Sequence, residues 1–379
     1  MHIPDGYLSP QTCVAAYAVA VPTWAVASRK VEKVVLTRNV PLLAVSAALS
    51  FLIMMFNVPI PDGTSAHAVG AVIIAIVLGP WAAVLAVSVA LLFQALLFGD
   101  GGILAYGANV VNMAVVMPFA GWWTYRALAG RSALTSRRRT LAAGLGGYVG
   151  INAAALATAV EFGLQPGLFH DADGTALYAP YDLSQAIPAM ALPHLTIVGV
   201  GEAILTAGVL AYLVRTDPSR LAPSHDDVLA RQNTPTQNGA QDGELVGRAG
   251  RGFLRSPGRA AVGAMAVLVA LVPLGLLAPG GAFGEDAPEE LDLGELGLRA
   301  VPEGLDRFYG FWSHTLLADY GFADGSHAQM AYWLSAVLGI AVVGATVLAV
   351  GRVLETVHGR GTAGSEGPGS DCPAPGGSR

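Results

Sequence analysis

Residues 64–98 read TSAHAVGAVIIAIVLGPWAAVLAVSVALLFQALLF, two apolar runs, 64–79 and 81–98, that meet at Gly79-Pro80. A Gly-Pro pair is a turn signal, so the chain reverses there and returns to the side it left. The second run is long enough for the ~30 Å hydrocarbon core of a bilayer, which takes about 20 apolar residues. The first is short, and the pair reads equally as a tight transmembrane hairpin or as a re-entrant one. Further apolar runs lie at about 11–28, 40–58, 106–125, 141–161 and 188–213, and two more, about 260–278 and 329–351, follow a polar stretch. At 379 residues, with 53% apolar and 13% charged, the chain is too oily for a water-soluble protein of its length. The fold class is therefore an all-α integral membrane protein. A seven-helix bundle occupies residues 1–215, a polar linker 216–255, a two-span unit 256–352, and a Gly/Pro/Ser tail, expected to be disordered, 353–379.

Orientation follows from Lys and Arg, which are retained in cytoplasmic loops during insertion. Arg29, Lys30, Lys33 and Arg38 follow the first run; Arg126, Arg131 and Arg137 to Arg139 follow the fifth; the linker is basic from Arg215 to Arg259. Residues 59–66, 99–107 and 162–187 contain neither type. About nine crossings, with the N-terminus outside and the C-terminus inside, place all of the 21 basic residues except Arg299 and Arg307 on the cytoplasmic side. The net charge of −6 is spread over separate loops and marks no nucleic-acid partner. Cys13 lies in an apolar run and Cys372 in the tail, so neither a disulfide framework nor a cysteine metal site is available. The chain lacks G-x-x-x-x-G-K-[ST], so ATP hydrolysis by the usual route is excluded. An intramembrane metallohydrolase is the alternative reading, but H-E-x-x-H, or an equivalent ligand pair on one helix, is missing.

This topology brings Met1, His2, Asp5, His67 and Asp100 to one face, the outer one. The chain opens Met1-His2-Ile3-Pro4-Asp5-Gly6-Tyr7-Leu8-Ser9-Pro10, without the basic start and cleavage site of a signal peptide, and this segment is expected to be kept. A free amine on Met1, the backbone nitrogen of His2 and the His2 Nδ1 can close five- and six-membered chelate rings around one ion. Nitrogen donors in a plane suit Ni(II) or Cu(II) better than tetrahedral Zn(II), and one more imidazole completes the plane. His67 is the candidate. In most chains a His after an initiator Met has no such role, and a lone His more often serves structure, so the residues alone leave both readings open. Thr64 or Ser65 is expected to cap the following helix, leaving His67 in its first turn. Among the outer acids Asp5, Asp62 and Asp100, Asp5 is the favoured supporting carboxylate, although Asp-Gly turns are ordinary devices. Gln94, Asn109 and Asn112 either orient the ligands or bond helix to helix. His194 and Glu202, about 80° apart on one helix, are intramembrane ionisable groups. Glu202 lies on an inner release path or braces a helix interface, and is assigned no metal role.

Four motifs in order, the opening decapeptide, FLIMMFNVP at 51–59, SAHAVG at 65–70 and FGDGGI at 98–103, resemble the CbiM/NikM family. Its members are the substrate-binding membrane components of energy-coupling-factor (ECF) transporters for cobalt and nickel. The resemblance runs from Met1 to about Leu213. It implies a substrate-capture component for Co(II) or Ni(II), with the ion held by Met1, His2 and His67 and no permanent cofactor. It also implies a transmembrane coupling subunit (CbiQ/NikQ-like), cytoplasmic ATPase subunits (CbiO/NikO-like) and residence in a prokaryotic plasma membrane. Residues 301–306 and 316–321, VPEGLD and LLADYG, resemble the two-span CbiN/NikN accessory subunit, here fused, with Pro-Glu-Gly-Leu where Pro-Asp-Gly-Leu is expected. His314 and His327 lie in that outer loop and either pass metal on or are simply solvated.

Overall fold

The computed structural model describes residues 1–34, 40–60, 65–216, 221, 257–278 and 281–363. The fold is mostly helical, and the sequence signals that start its helices are plain. Helix α1 (Pro10–Val34) begins with a proline, whose missing N–H costs nothing in a first turn, and the Ser9 hydroxyl accepts the Thr12 N–H at 3.1 Å. Helix α2 spans Val40–Met54. A two-stranded antiparallel hairpin, β1 (Val58–Pro59) and β2 (Ser65–Ala66), comes next. Helices α3 (Ala71–Leu78) and α4 (Pro80–Phe93) meet at Gly79. Then come α5 (Tyr106–Asn109), α6 (Met117–Ala129), α7 (Arg137–Leu168), α8 (Leu183–Pro193) and α9 (Gly199–Thr216). Asp182 and Gln185 form a reciprocal capping box at the start of α8.

Three of these helices contain π-helical turns: Gln94–Phe98 after α4, Val110–Val116 between α5 and α6, and His194–Val198 between α8 and α9. Prolines adjoin two of them, Pro118 and Pro193, and a proline forfeits the bond to the carbonyl four residues back. Four described helices are long and apolar enough to cross a membrane: Pro80–Phe98, Arg137–Leu168, Leu183–Thr216 and Ala328–Val353.

The third apolar run departs from expectation. Its helix starts at Ala71 and not near residue 64, because Gly70 takes the left-handed conformation (φ 72°, ψ 11°) and breaks the helical path upstream. Ser65 is therefore a strand residue and no helix cap, and His67 sits in an extended segment ahead of the helix; Thr64 and Asp62 lie outside the described residues. An eight-residue helix is about 12 Å long, and residues 65–70, nearly all buried, carry the chain the rest of the way inward.

The polarity of the bundle is that of a protein in lipid. On α7, Leu141, Leu145, Val149 and Leu156 face outward while Gly146, Gly147 and Gly150 are buried. Small residues let helices approach closely where apolar burial offers no driving force between them. A Cβ on Gly146 would stand 2.7 Å from the Gly121 carbonyl oxygen of α6.

In the C-terminal unit, α10 (Pro257–Leu271) continues as a 3₁₀ turn, Val272–Leu277, and α12 (Ala328–Ala363) packs on α2. The linker expected at 216–255 lies outside the described residues apart from Thr216, the last residue of α9, and Leu221. Helix α12 extends to Ala363, so the start of the stretch expected to be disordered is helical, and residues 364–379 lie outside the described residues. The loop between these helices contains α11 (Glu303–Phe308) and is bonded to the first unit. Leu316 and Leu317 N–H reach the Leu97 carbonyl at 2.8 and 3.0 Å, Gly304 N–H reaches Leu177 at 2.7 Å, and Ser65 N–H reaches Gly281 at 3.0 Å. Phe283 closes an aromatic cluster with Tyr181 and Phe162, at ring centroid distances of 4.5 and 6.2 Å.

Gly146→Ala is expected to cost about 1–3 kcal/mol by overpacking and to lower the thermal midpoint in detergent. Gly208→Ala, where a Cβ meets nothing within 4 Å, is expected to leave the midpoint level or raise it slightly.

Candidate metal-binding site

The N-terminal segment lies inside the protein. Met1 is 4% exposed, His2 2% and Ile3 not at all, and Asp5, Tyr7, Leu8 and Ser9 are buried as well. A buried irregular segment must find partners for its backbone polar groups, and each comes from a different part of the bundle. Asn109 accepts the Ile3 N–H (2.8 Å) and donates to the Ile3 carbonyl (3.1 Å), which also takes the Gly102 N–H (2.8 Å). Gln165 of α7 accepts the Ser9 N–H (2.9 Å), and the Tyr7 carbonyl accepts from Ala179 (3.0 Å). Asp5 accepts the N–H groups of Ile103, Leu104 and Ala105 at 2.8 to 3.2 Å. Gly102 is glycine for a reason of space, since a Cβ there would collide with the Asp5 carboxylate.

His2 and His67 stand side by side beneath this segment, ring centroids 4.9 Å apart and planes inclined by 35°. Nδ1 of His67 lies 3.1 Å from the Ala68 carbonyl, which can only accept, so that nitrogen carries the proton and Nε2 keeps its lone pair. Nε2 of His67 and Nε2 of His2 are both buried without a hydrogen-bond partner, which is unusual for polar atoms inside a protein. Nδ1 of His2 contacts Asp100. Burial alone would raise the Asp100 carboxyl, but the His2 ring beside it outweighs this and keeps it ionised, below the usual range.

The C-terminal unit reaches the same place. Tyr320 donates to Asp100 Oδ2 at 2.5 Å, and Gln94 donates to both the Tyr320 oxygen (3.0 Å) and Asp100 Oδ2 (3.3 Å). Burial pushes the Tyr320 phenol up, so it remains a donor. Asp319 and Tyr320 hold φ of 47° and 61°, a conformation that costs of order 1–3 kcal/mol in such residues, and the surrounding contacts maintain it. The Met1 amine lies 3.4 Å from Glu285 Oε1, and Tyr7 donates to the Asp286 carbonyl at 2.8 Å.

The sequence-derived candidates thus divide. Met1, His2 and His67 converge, with Gln94 and Asn109 in contact with the groups that hold them. The carboxylate touching His2 is Asp100, while Asp5 is spent on the backbone of 103–105. Asn112 bonds Thr158 (3.1 Å) and Glu161 (2.7 Å), a helix-to-helix contact with α7. Ser65 contributes its backbone N–H to Gly281. His194 bonds the Met190 carbonyl four residues back (2.6 Å), and Glu202 bonds the backbone just past His67. His314 is exposed against Trp312, and His327 is exposed. Sequence reasoning missed Glu285 and Tyr320; the LLADYG motif was the signal for the second, and only proximity in space identifies the first. Among the described residues no cluster of three or more His, Cys, Asp or Glu side chains is arranged to hold a metal.

The family described as cobalt uptake substrate-specific transmembrane region, CbiM, matches residues 2–220. The fused nickel transport protein NikMN of Rhodobacter capsulatus is 47% identical over 356 residues, covering 90% of this chain and 95% of the relative. The probable fused nickel transport protein LarMN of Lactiplantibacillus plantarum is 41% identical over 347 residues, with the same coverage of both chains. The crystal structure of a truncated transition metal transporter superposes with a TM-score of 0.54 at 56% identity, covering 57% of this chain and 99% of the other.

Asn109→Ala strips both bonds from Ile3 and is expected to cost about 1–3 kcal/mol and to speed amide exchange over residues 2–9, read by mass spectrometry. Asn112→Ala, which removes side-chain hydrogen bonds to α7 and none to residues 1–9, is expected to leave exchange in that segment unchanged.

Proposed function

The chain belongs to the CbiM family of cobalt-uptake substrate-specific transmembrane proteins, a transporter and not an enzyme, and from that premise we propose that it captures Ni(II) or Co(II) for import through an ECF-type transporter. The ion is held at the outer face by the Met1 amine, the His2 backbone nitrogen and Nδ1, and Nε2 of His67. One observation carries this reading: a chain terminus buried beside two imidazoles whose Nε2 atoms lack partners. No energetic reason exists to bury a terminal amine, a His and a second His together unless something repays their lost hydration. A metal ion does so.

Capture exchanges two carboxylate contacts for the ion, since Nδ1 of His2 now faces Asp100 and the amine now faces Glu285. The bound nitrogens give up protons as the ion enters. His67 is arranged for this, because Nδ1 is turned to the Ala68 carbonyl and Nε2 has no partner. Energy comes from CbiQ/NikQ-like and CbiO/NikO-like partner subunits, since this chain has no phosphate loop. In this reading the chain crosses a prokaryotic plasma membrane about nine times, N-terminus outside, and residues 256–352 are a CbiN/NikN-like accessory unit fused in place. Two relatives matched over 90% of this chain are named as fused nickel transport proteins, which supports both the fusion and the ion. At a nitrogen site of this kind the Irving–Williams order favours Ni(II) over Co(II).

His67→Ala is expected to weaken Ni(II) binding tenfold or more, as loss of metal-site groups does, while the protein still inserts and folds; wild-type affinity in titration removes His67 from the ligand set. Intact-mass analysis is expected to show Met1 retained and its formyl group removed. One residue inserted between Met1 and His2 breaks the ring sizes, and an unchanged Ni(II) affinity in that variant rules out the chelate.

A further inference from the structure

Glu202 is wholly buried in α9, in the apolar part of the bundle, and the capture chemistry does not use it. Its carboxylate accepts the Val69 N–H at 2.9 Å and the Gly70 N–H at 3.2 Å, and the Thr206 hydroxyl lies 3.5 Å away. No cationic side chain pairs with it among the described residues. An ionisable group in a membrane protein is expensive, and this one is spent on two backbone donors that stand two and three residues beyond His67. On the opposite side, Ser50 of α2 donates to the Val69 carbonyl at 2.8 Å. The extended segment carrying His67 is thereby gripped from α9 and from α2 just before it enters α3, whose N-terminal end favours a negative charge.

We propose that Glu202 is a positioning residue for His67: by binding Val69 and Gly70 it sets the path of the segment upstream, so that Nε2 of His67 is presented beside His2. The geometry fits this use. With Val69 and Gly70 fixed and Nδ1 of His67 tied to Ala68, the ring, 4.9 Å from that of His2, has little freedom, and Nε2 is its one nitrogen without a partner. A carboxylate is suited to the task because Oε2 takes both N–H groups while Oε1 also lies 3.2 Å from Gly70 N, and its charge makes these bonds stronger than those to a neutral Gln amide, which has one acceptor oxygen.

The proposal rests on the ligand set of Met1, His2 and His67, and a double-mutant cycle separates the two. Ni(II), added as the simple salt to the purified full-length chain, is titrated against wild type, E202Q, H67A and the double variant, and the absorption of the bound ion is recorded. E202Q is expected to bind at least about fivefold more weakly, with its absorption shifted toward that of H67A. In the H67A background it is expected to cost less than about twofold, because residues acting through one another do not add. Equal losses in both backgrounds would make Glu202 a general structural residue and overturn the proposal. So would an E202Q protein that binds and absorbs like wild type. Should H67A itself bind like wild type, the ligand set fails and the proposal with it. Glu202→Asp, which keeps the charge but falls a methylene short, gives the same reading if E202Q does not fold.

Discussion

Burying an irregular chain terminus imposes the condition that the rest of the molecule meets. Residues 1–9 have no helix or sheet ladder to satisfy their backbone, and an unpaired N–H or C=O inside a protein costs about 1–3 kcal/mol. The bundle answers with side chains from separate helices, Asn109 and Gln165, and with the backbone of the turn at 102–105 and of Ala179. These polar groups are buried where the terminus is, and they hold the segment whose second residue, His2, stands beside His67.

The departures from regular helix stand close to this requirement. Gln94 opens a π turn, and Asn109 immediately precedes another. A π turn inserts an extra residue and rotates the helix downstream of it, and such turns recur at functional sites. The two amides at these turns reach the surroundings of His2, Gln94 toward Asp100 and Tyr320 and Asn109 toward Ile3. The unwound stretch before α3 serves similarly, since non-helical backbone at this depth is tolerated only where protein surrounds it and satisfies it. Ser50 and Glu202 supply that satisfaction.

The two units of the chain share one interior. The loop after α10 places Glu285 beside the amine and Tyr320 against Asp100, and Phe283 fills a pocket formed by Tyr181 and Phe162. The C-terminal unit therefore touches the Met1 amine directly and the His2 ring through Asp100.

Composition and hydropathy by themselves determined that the protein is helical and belongs in a membrane, because continuous apolar runs of about 20 residues satisfy their backbone in lipid as helices, whereas barrel strands are about half as long. The runs at 81–98, 141–161, 188–213 and 329–351 all became long apolar helices, and the opening decapeptide could be singled out from the sequence because Met1 and His2 are neighbours in the chain. Pairing in space was not legible. Asp100 and Asp5 are both acids in Asp-Gly turns, and nothing local says which one meets His2 and which one caps 103–105. His67 was read as a first-turn residue because Thr and Ser precede an apolar run, yet Gly70 in the left-handed conformation moved the helix start to Ala71. Glu202 shows the same limit most clearly. Its cost in the membrane could be read from one residue in an apolar helix, but its partners, Val69 and Gly70, lie more than a hundred residues away, and only the packing of α9 against that segment joins them.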